Sequence, residues 1–98
     1  MLVLHILQGP DRGKKFELPS HEPQLIGRST EALPITDSTV SRRHAELTPD
    51  DGRWYLRDLQ SANGTFVNGR RLSAQTPTPL ANGDELKCGT LLMRLEFS

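Results

Sequence analysis

The sequence has a single cysteine, no long apolar run and no basic stretch at its start, and each absence excludes a class of protein. Cys88 alone cannot form an internal disulfide, and with His5, His21 and His44 it shows none of the paired spacings of a zinc site. A membrane-spanning helix needs about eighteen apolar residues in a row, which the chain lacks. The first seven residues do not form a secretory signal. We therefore expect a cytoplasmic protein with no membrane insertion, no metal and no other cofactor.

The chain also has no excess of charge of either sign, because twelve Lys and Arg residues balance twelve Asp and Glu residues. Such a balance argues against a nucleic-acid partner bound through bulk charge, although it leaves room for a local basic patch. The 98 residues suffice for one domain, 1–98, that buries a core without covalent cross-links. Since the sequence stops in strand register at Ser98, we expect this domain to belong to a longer protein.

Helical periodicity is nearly absent, while eight Gly and seven Pro residues divide the chain into short segments. The Asn-Gly dipeptide, which tolerates positive φ and favours hairpins, occurs three times. These patterns predict an all-β fold, an antiparallel β-sandwich of about ten to eleven short strands with loops at one end. The Pro-rich segment 76–79 is expected to be an extended loop. The predicted strands include 2–7, 14–18, 24–28, 33–35, 44–48, 53–59, 85–88 and 91–97.

Three polar loop segments are candidates for a binding site: Gly27-Arg28, Ser41–His44 and Ser61–Thr65. Arginine offers a rigid fork of donors that matches a phosphate, and a serine hydroxyl with loop N–H groups would complete an anion cradle. The alternative is that these arginines lie on a solvated face and pair with Asp37 or Asp58.

The order and spacing of these segments resemble one known family. Gly27-Arg28, then Ser41-x-x-His44, then Asn63-Gly64-Thr65-x-x-Asn68-Gly69 is similar to the motif set of the forkhead-associated (FHA) domain. The resemblance extends over essentially the whole chain. It implies a β-sandwich that binds phosphothreonine peptides through loops at one end.

The resemblance also implies a role for each matching residue. Arg28 would be the main phosphate ligand, and the Ser41 hydroxyl would donate a hydrogen bond to the phosphate. Arg42 would add a further phosphate contact through its side chain or its backbone N–H. Asn63 would bond the peptide backbone beside the phosphothreonine. The implied phosphopeptide-binding residues are Arg28, Ser41, Arg42, Ser61, Ala62 and Asn63.

Other motif residues are implied to be architectural. Gly27 would allow close backbone approach, His44 would support the loops through its ring, and Asn68 would hold the Asn-Gly turns. The implied structural set is Gly27, His44, Gly64, Thr65, Asn68 and Gly69. One position departs from the family: many members have Thr or Ser where this chain has Ala62, so one side-chain contact to the ligand is lost.

The implied partner is a phosphothreonine-containing protein or peptide, downstream of a Ser/Thr kinase. One alternative is a phosphate-independent interaction or dimerisation module of the same fold. A second is a hydrolase that uses Ser41, His44 and Asp37 or Asp58. Three residues of spacing in a strand would place Ser41 and His44 on opposite faces, and no strained nucleophile turn is present. We therefore expect the protein not to be an enzyme.

Overall fold

Short segments of alternating polar and apolar residues, separated by Gly, Pro and Asn turns, form strands throughout this chain. The structure is a computed structural model that describes residues 2–19, 21–28, 33 and 35–97. Within these ranges ten strands and no helix are present, which confirms the all-β prediction. The strands are β1 (Leu2–Gln8), β2 (Lys15–Leu18), β3 (Gln24–Ile26), β4 (Ala45–Asp50), β5 (Arg53–Asp58), β6 (Thr65–Val67), β7 (Arg70–Arg71), β8 (Thr78–Pro79), β9 (Glu85–Cys88) and β10 (Leu91–Phe97).

The strands form two antiparallel sheets that pack face to face. The larger sheet has the order β2-β1-β10-β9-β6-β7, and the smaller one has the order β3-β4-β5-β8. β1 and β10 pair from Leu2 opposite Phe97 to Gln8 opposite Leu92, with a shift of register between Ile6 and Gln8. The first and last strands are therefore neighbours inside one sheet.

The core lies between the sheets because side chains at alternate positions of each strand point inward. In β10, Leu91, Met93 and Leu95 are buried while Arg94 and Glu96 are exposed. Burying one such apolar side chain stabilises the fold by roughly 1.5–3 kcal/mol. The fully buried large side chains are Leu2, Leu4, Ile26, Leu47, Leu56, Leu86, Leu91, Met93, Leu95, His44, Val40 and Thr65.

Two details of the predicted strand pattern were wrong. Leu33 and Ile35 do not form a strand: the Leu33 N–H donates to Leu25 O (3.1 Å), and the Ile35 N–H donates to Leu33 O (2.7 Å), which bends the chain back on β3. Pro34, between them, lies outside the described residues. The Pro-rich segment was expected to be a loop, but Thr78–Pro79 forms β8 at a sheet edge, where the missing N–H of proline does not interrupt pairing.

Antiparallel pairing brings four chain segments to one end of the sandwich, which we call the loop end. The last residue of β3 pairs with the first of β4, which in turn pairs with the last of β5. The first residue of β6 likewise pairs with the last of β9. The loop end is formed by residues 27–28, 36–44, 59–64 and 89–90.

Candidate functional site

Gly27 and Arg28 leave β3 at the loop end and contact the segment before β4. A Cβ atom on Gly27 would come within 2.0 Å of the carbonyl oxygen of Arg42, so only glycine permits this approach. The Arg28 N–H donates to Ser41 O (3.2 Å), and its Nε–H donates to Val40 O (2.5 Å). These bonds fix the position of an exposed guanidinium beside Ser41.

His44 is fully buried and connects two loops through its ring. Its Nδ1 accepts a hydrogen bond from the Ser41 N–H (3.0 Å), so Nδ1 has no proton. Its Nε2–H therefore donates to Gly64 O (2.8 Å). The ring thus joins the turn 41–44, which precedes β4, to the loop between β5 and β6.

The Ser41 side chain completes this junction. Its Oγ accepts a hydrogen bond from the Ala62 N–H (3.0 Å). A hydroxyl has one proton to donate, and that proton stays available when the oxygen is an acceptor. Ser41 can therefore hold the loop of Ala62 and still donate to an anion beside Arg28.

Asn63 lies at the exposed tip of the same loop. Its Nδ2 donates to Thr39 O (2.6 Å), which orients the amide across the loop end. The side-chain oxygen and the second amide proton remain for a further partner. Arg28, Ser41, Ala62 and Asn63 are therefore brought together at the loop end.

Sequence reasoning missed the network that holds Thr39. The Thr39 hydroxyl donates to Asp37 (2.6 Å) and accepts from the Thr90 N–H (2.8 Å), while the Thr90 hydroxyl donates to Asp37 (2.7 Å). A Cβ atom on Gly89 would lie 2.3 Å from the Thr39 hydroxyl. Burial opposes ionisation of Asp37, but the hydrogen bonds from Thr39 and Thr90 outweigh it and hold the pKa of this carboxyl below its ordinary value.

The family model of the FHA domain matches residues 25–89, which is more than half of the chain. The chain belongs to the FHA domain family.

Individual FHA proteins are similar over almost all of the chain. The FHA domain-containing protein FhaB of Mycolicibacterium smegmatis is 32% identical over 93 residues, covering 94% of this chain and 58% of the relative. A structure from a structural and functional analysis of phosphothreonine-dependent FHA domain interactions has a TM-score of 0.84 and 32% identity, covering 99% of this chain and 96% of that one. The kinase-interacting FHA domain of the Arabidopsis kinase-associated protein phosphatase has a TM-score of 0.86 and 30% identity, covering 99% and 93%.

The chain spans only part of the curated relatives that it matches, for example 23% of an Arabidopsis thaliana FHA domain-containing protein and 58% of FhaB. FHA domains are protein-interaction modules. The family model and the similar structures establish the family and the fold of this chain.

The side chain of Ser61, unlike that of Asn63 in the same loop, bonds the end of β5. Its hydroxyl donates to Asp58 (2.5 Å), as does the hydroxyl of Thr65 (2.6 Å). Burial raises the pKa of Asp58, but the hydrogen bonds from Ser61 and Thr65 outweigh it and leave that pKa below its ordinary value. Ser61 thus shapes the loop from within, because its one proton is engaged by Asp58.

The alternative in which Asp37 or Asp58 neutralises the arginines is not supported. Both carboxylates accept hydrogen bonds from hydroxyl and backbone N–H groups. Among the described residues, neither forms an ion pair with Arg28 or Arg42.

The hydrolase alternative fails on the geometry of His44. Residues 41–44 form a turn and not a strand, so the premise that Ser41 and His44 lie on opposite faces of a strand was wrong. Both ring nitrogens nevertheless bond backbone groups, and the Ser41 hydroxyl bonds the Ala62 N–H. The imidazole is therefore not placed to remove the hydroxyl proton.

Asn68 and Gly69 lie at the opposite end of β6 from Asn63. Asn68 adopts a positive φ of 51°, its Oδ1 accepts from the Glu85 N–H (2.9 Å), and its Nδ2 donates to Asp84 (3.0 Å). The turn of Asn68 is thereby fastened to the turn that contains Asn82. These residues are remote from Arg28.

Within residues 2–19, 21–28, 33 and 35–97, no helix is long and apolar enough to cross a membrane. No group of three or more His, Cys, Asp or Glu side chains in the same residues is placed to hold a metal ion.

Proposed function

We propose that this domain binds phosphothreonine-containing peptides through its loop end, as an interaction module in Ser/Thr-kinase signalling. The decisive observation is that the Ser41 hydroxyl, the exposed Arg28 guanidinium and the Asn63 amide converge at the loop end, each oriented by a bond to a neighbouring loop.

The phosphate would bind between Arg28 and Ser41. A phosphothreonine has a charge of about −1.5 to −2 and three strong acceptor oxygens. The Arg28 guanidinium and the Ser41 hydroxyl supply donors to two of these oxygens. Arg42, whose side chain is exposed next in the chain, supplies a further donor through its guanidinium or its backbone N–H.

The peptide backbone would bind at Asn63. A side-chain amide offers both a donor and an acceptor, which match the C=O and N–H of an extended chain. The bond from Nδ2 to Thr39 fixes the direction of this amide and hence the direction of the peptide. Ala62 and Ser61 shape the loop on which Asn63 is presented.

Two structures similar to this chain support the kinase context. One is a kinase-interacting FHA domain, and the other was determined in an analysis of phosphothreonine-dependent FHA domain interactions. Because Ser/Thr kinases produce phosphothreonine, such a kinase would act upstream of the partner of this domain.

Calorimetric titration with a degenerate phosphothreonine library, its unphosphorylated counterpart and a phosphoserine version tests the proposal. We expect micromolar binding that requires the phosphate. Arg28→Ala should weaken it at least about tenfold, since a charge-assisted hydrogen bond contributes roughly 1.5–3 kcal/mol. Ser41→Ala should weaken it to a smaller degree.

The matched control is Arg53→Ala, because Arg53 is exposed at the far end of β5. It should leave the affinity unchanged, and thermal unfolding should show that all variants fold. Equal binding of phosphorylated and unphosphorylated peptides, insensitive to Arg28→Ala, would replace the proposal with a phosphate-independent module.

A further inference from the structure

Three side chains form a stripe across the outer face of the larger sheet, beside Asn63. In the strand register, Phe66 of β6 lies directly opposite Arg71 of β7 on one side and Lys87 of β9 on the other. Residues that are directly opposite in neighbouring strands point to the same face of a sheet. Phe66 is therefore an aromatic side chain flanked by two cations, a set we call the 66/71/87 stripe.

The stripe is continuous with the loop end. A Cβ atom on Gly64 would lie 2.8 Å from Nε of Arg71, which places the guanidinium over the backbone that follows Asn63. On the other side, a surface cavity of about 380 Å³ opens between Asn63 and the stripe. Its lining residues are Thr39, Asn63, Phe66, Lys87, Gly89 and Thr90.

Both cations of the stripe are exposed and without a carboxylate partner in the described part of the chain. Glu85, the next outward-facing residue of β9, lies opposite Arg94. Glu17 lies on β2, which β1 and β10 separate from the stripe. Glu96 lies on the neighbouring strand β10, four residues along the chain from Leu92, the residue opposite Lys87. The positive charge of Arg71 and Lys87 is therefore available to a ligand.

We propose that the 66/71/87 stripe binds an acidic side chain of the phosphothreonine peptide, so that the preferred ligand has Asp or Glu near its phosphothreonine. The inference rests on the proposed function, because a peptide held at Asn63 must continue along one side of that residue. Neighbouring strands are about 4.8 Å apart, so the backbones of Arg71 and Lys87 are separated by about 10 Å. A carboxylate lying over Phe66 is within reach of either long side chain, and the aromatic ring contacts the methylene groups of the ligand.

A scan of phosphothreonine peptides tests this inference. Each flanking position of a neutral degenerate peptide is replaced in turn by Asp, by its isostere Asn and by Lys, and affinities for the full chain are measured. At one or more positions we expect Asp to bind about twofold to fivefold more tightly than Asn, the range of an exposed ion pair. The preference should shrink as the salt concentration rises.

Variants then assign the preference to the stripe. Arg71→Gln and Lys87→Gln should each reduce the ratio of Asp to Asn affinities, while Arg71→Lys should largely keep it because the charge is retained. Arg71→Glu should shift the preference toward the Lys peptide. Arg53→Gln, at the far end of the molecule, should leave all ratios unchanged, and affinity for the neutral phosphopeptide should persist in every variant.

The outcomes separate the two proposals. If neutral phosphopeptides bind in an Arg28-dependent way but no position prefers Asp over Asn, the proposed function stands and this inference is wrong. A preference for Asp that survives both Arg71→Gln and Lys87→Gln also overturns it. If no phosphopeptide binds, the proposed function fails and this inference fails with it.

Discussion

Two Asn-Gly turns, only five residues apart in the chain, differ in what the fold does with the asparagine side chain. At Asn68-Gly69, the positive φ forms a hairpin, and Asp84 and Glu85 engage both the donor and the acceptor of the amide. At Asn63-Gly64, the amide makes one bond to Thr39 and extends from an exposed loop.

Under the proposed function, this difference separates an asparagine that stabilises a turn from one that binds the peptide. An amide whose donor and acceptor are both satisfied by the protein stabilises a turn and has little capacity left for a ligand. An oriented amide that retains capacity is suited to recognise a peptide. The loop of Asn63 is also bonded to the turn 41–44, because Gly64 bonds His44 and Ala62 bonds Ser41. The turn of Asn68 is instead bonded to Asp84 and Glu85, beside the turn that contains Asn82.

The largest effect should come from removing the His44 ring, which joins the turn 41–44 to the loop that carries Asn63. His44→Ala leaves the Ser41 N–H and the Gly64 carbonyl without their partner and creates a cavity, so we expect a loss of about 3 kcal/mol in the free energy of unfolding. Chemical denaturation measures this loss. Phosphopeptide affinity should fall as well, because Ser41 and Asn63 lose their common support.

The result would contradict this account if His44→Ala lowered stability but left phosphopeptide affinity unchanged in the folded protein. His21→Ala is the matched control, since His21 is exposed and should change neither quantity.

A paired substitution sharpens the comparison directly. Asn63→Ala should weaken phosphopeptide binding by about tenfold while changing stability little, because a lost hydrogen bond to a ligand is worth about 1–1.5 kcal/mol. Asn68→Ala should lower the free energy of unfolding by about 1–2 kcal/mol and leave affinity unchanged, because it removes the bonds to Asp84 and the Glu85 N–H and places alanine at a positive φ. Titration calorimetry and denaturation of both variants check the pair, and an exchange of the two outcomes would overturn it.

Most of this fold could be predicted from turn residues. The Gly, Pro and Asn positions place the predicted strands within two residues of the observed ends, as for β1, β9 and β10. Leu33 and Ile35 were the exception, because two apolar residues around a proline look like a strand when the bonds back to β3 are unknown.

The site was predictable only in part. Arg28, Ser41 and Asn63 follow from a local motif, but the network of Asp37, Thr39 and Thr90 joins residues 51 and 53 positions apart in the chain. No local pattern signals such contacts. The bond from the Ser61 hydroxyl to Asp58 could not be predicted from the sequence either, since it depends on where β5 ends and how Asp58 is buried.

Acid should loosen the Asn63 loop in a way that depends on Asp58. Because the folded-state pKa of Asp58 lies below its ordinary value, the stabilisation is present above the unfolded pKa of about 3.9 and is lost as pH falls through the folded value. Thermal unfolding between neutral pH and pH values below about 4 should show this decline. Asp58→Asn should be less stable at neutral pH and should show a shallower decline, whereas parallel curves would contradict the assignment.

The smallest effect concerns Ala62, where a hydroxyl is missing. Ala62→Thr should strengthen phosphopeptide binding by about threefold, because an exposed hydroxyl adds one hydrogen bond to the ligand at a site that needs no repacking. Ala81→Thr, an exposed alanine beside the turn of Asn82, should have no effect on affinity. Equal changes in both variants would show that the position of the hydroxyl is unimportant.

Amide chemical-shift mapping by NMR tests the central claim most directly. A phosphothreonine peptide is titrated into the labelled protein, and its unphosphorylated counterpart serves as the reference. We expect the amide signals of Arg28, Ser41, Arg42, Ala62 and Asn63 to move only with the phosphopeptide, while those of Asn68 and Gly69 stay in place. Shifts centred on the Asn68 turn, or identical shifts with both peptides, would contradict the account.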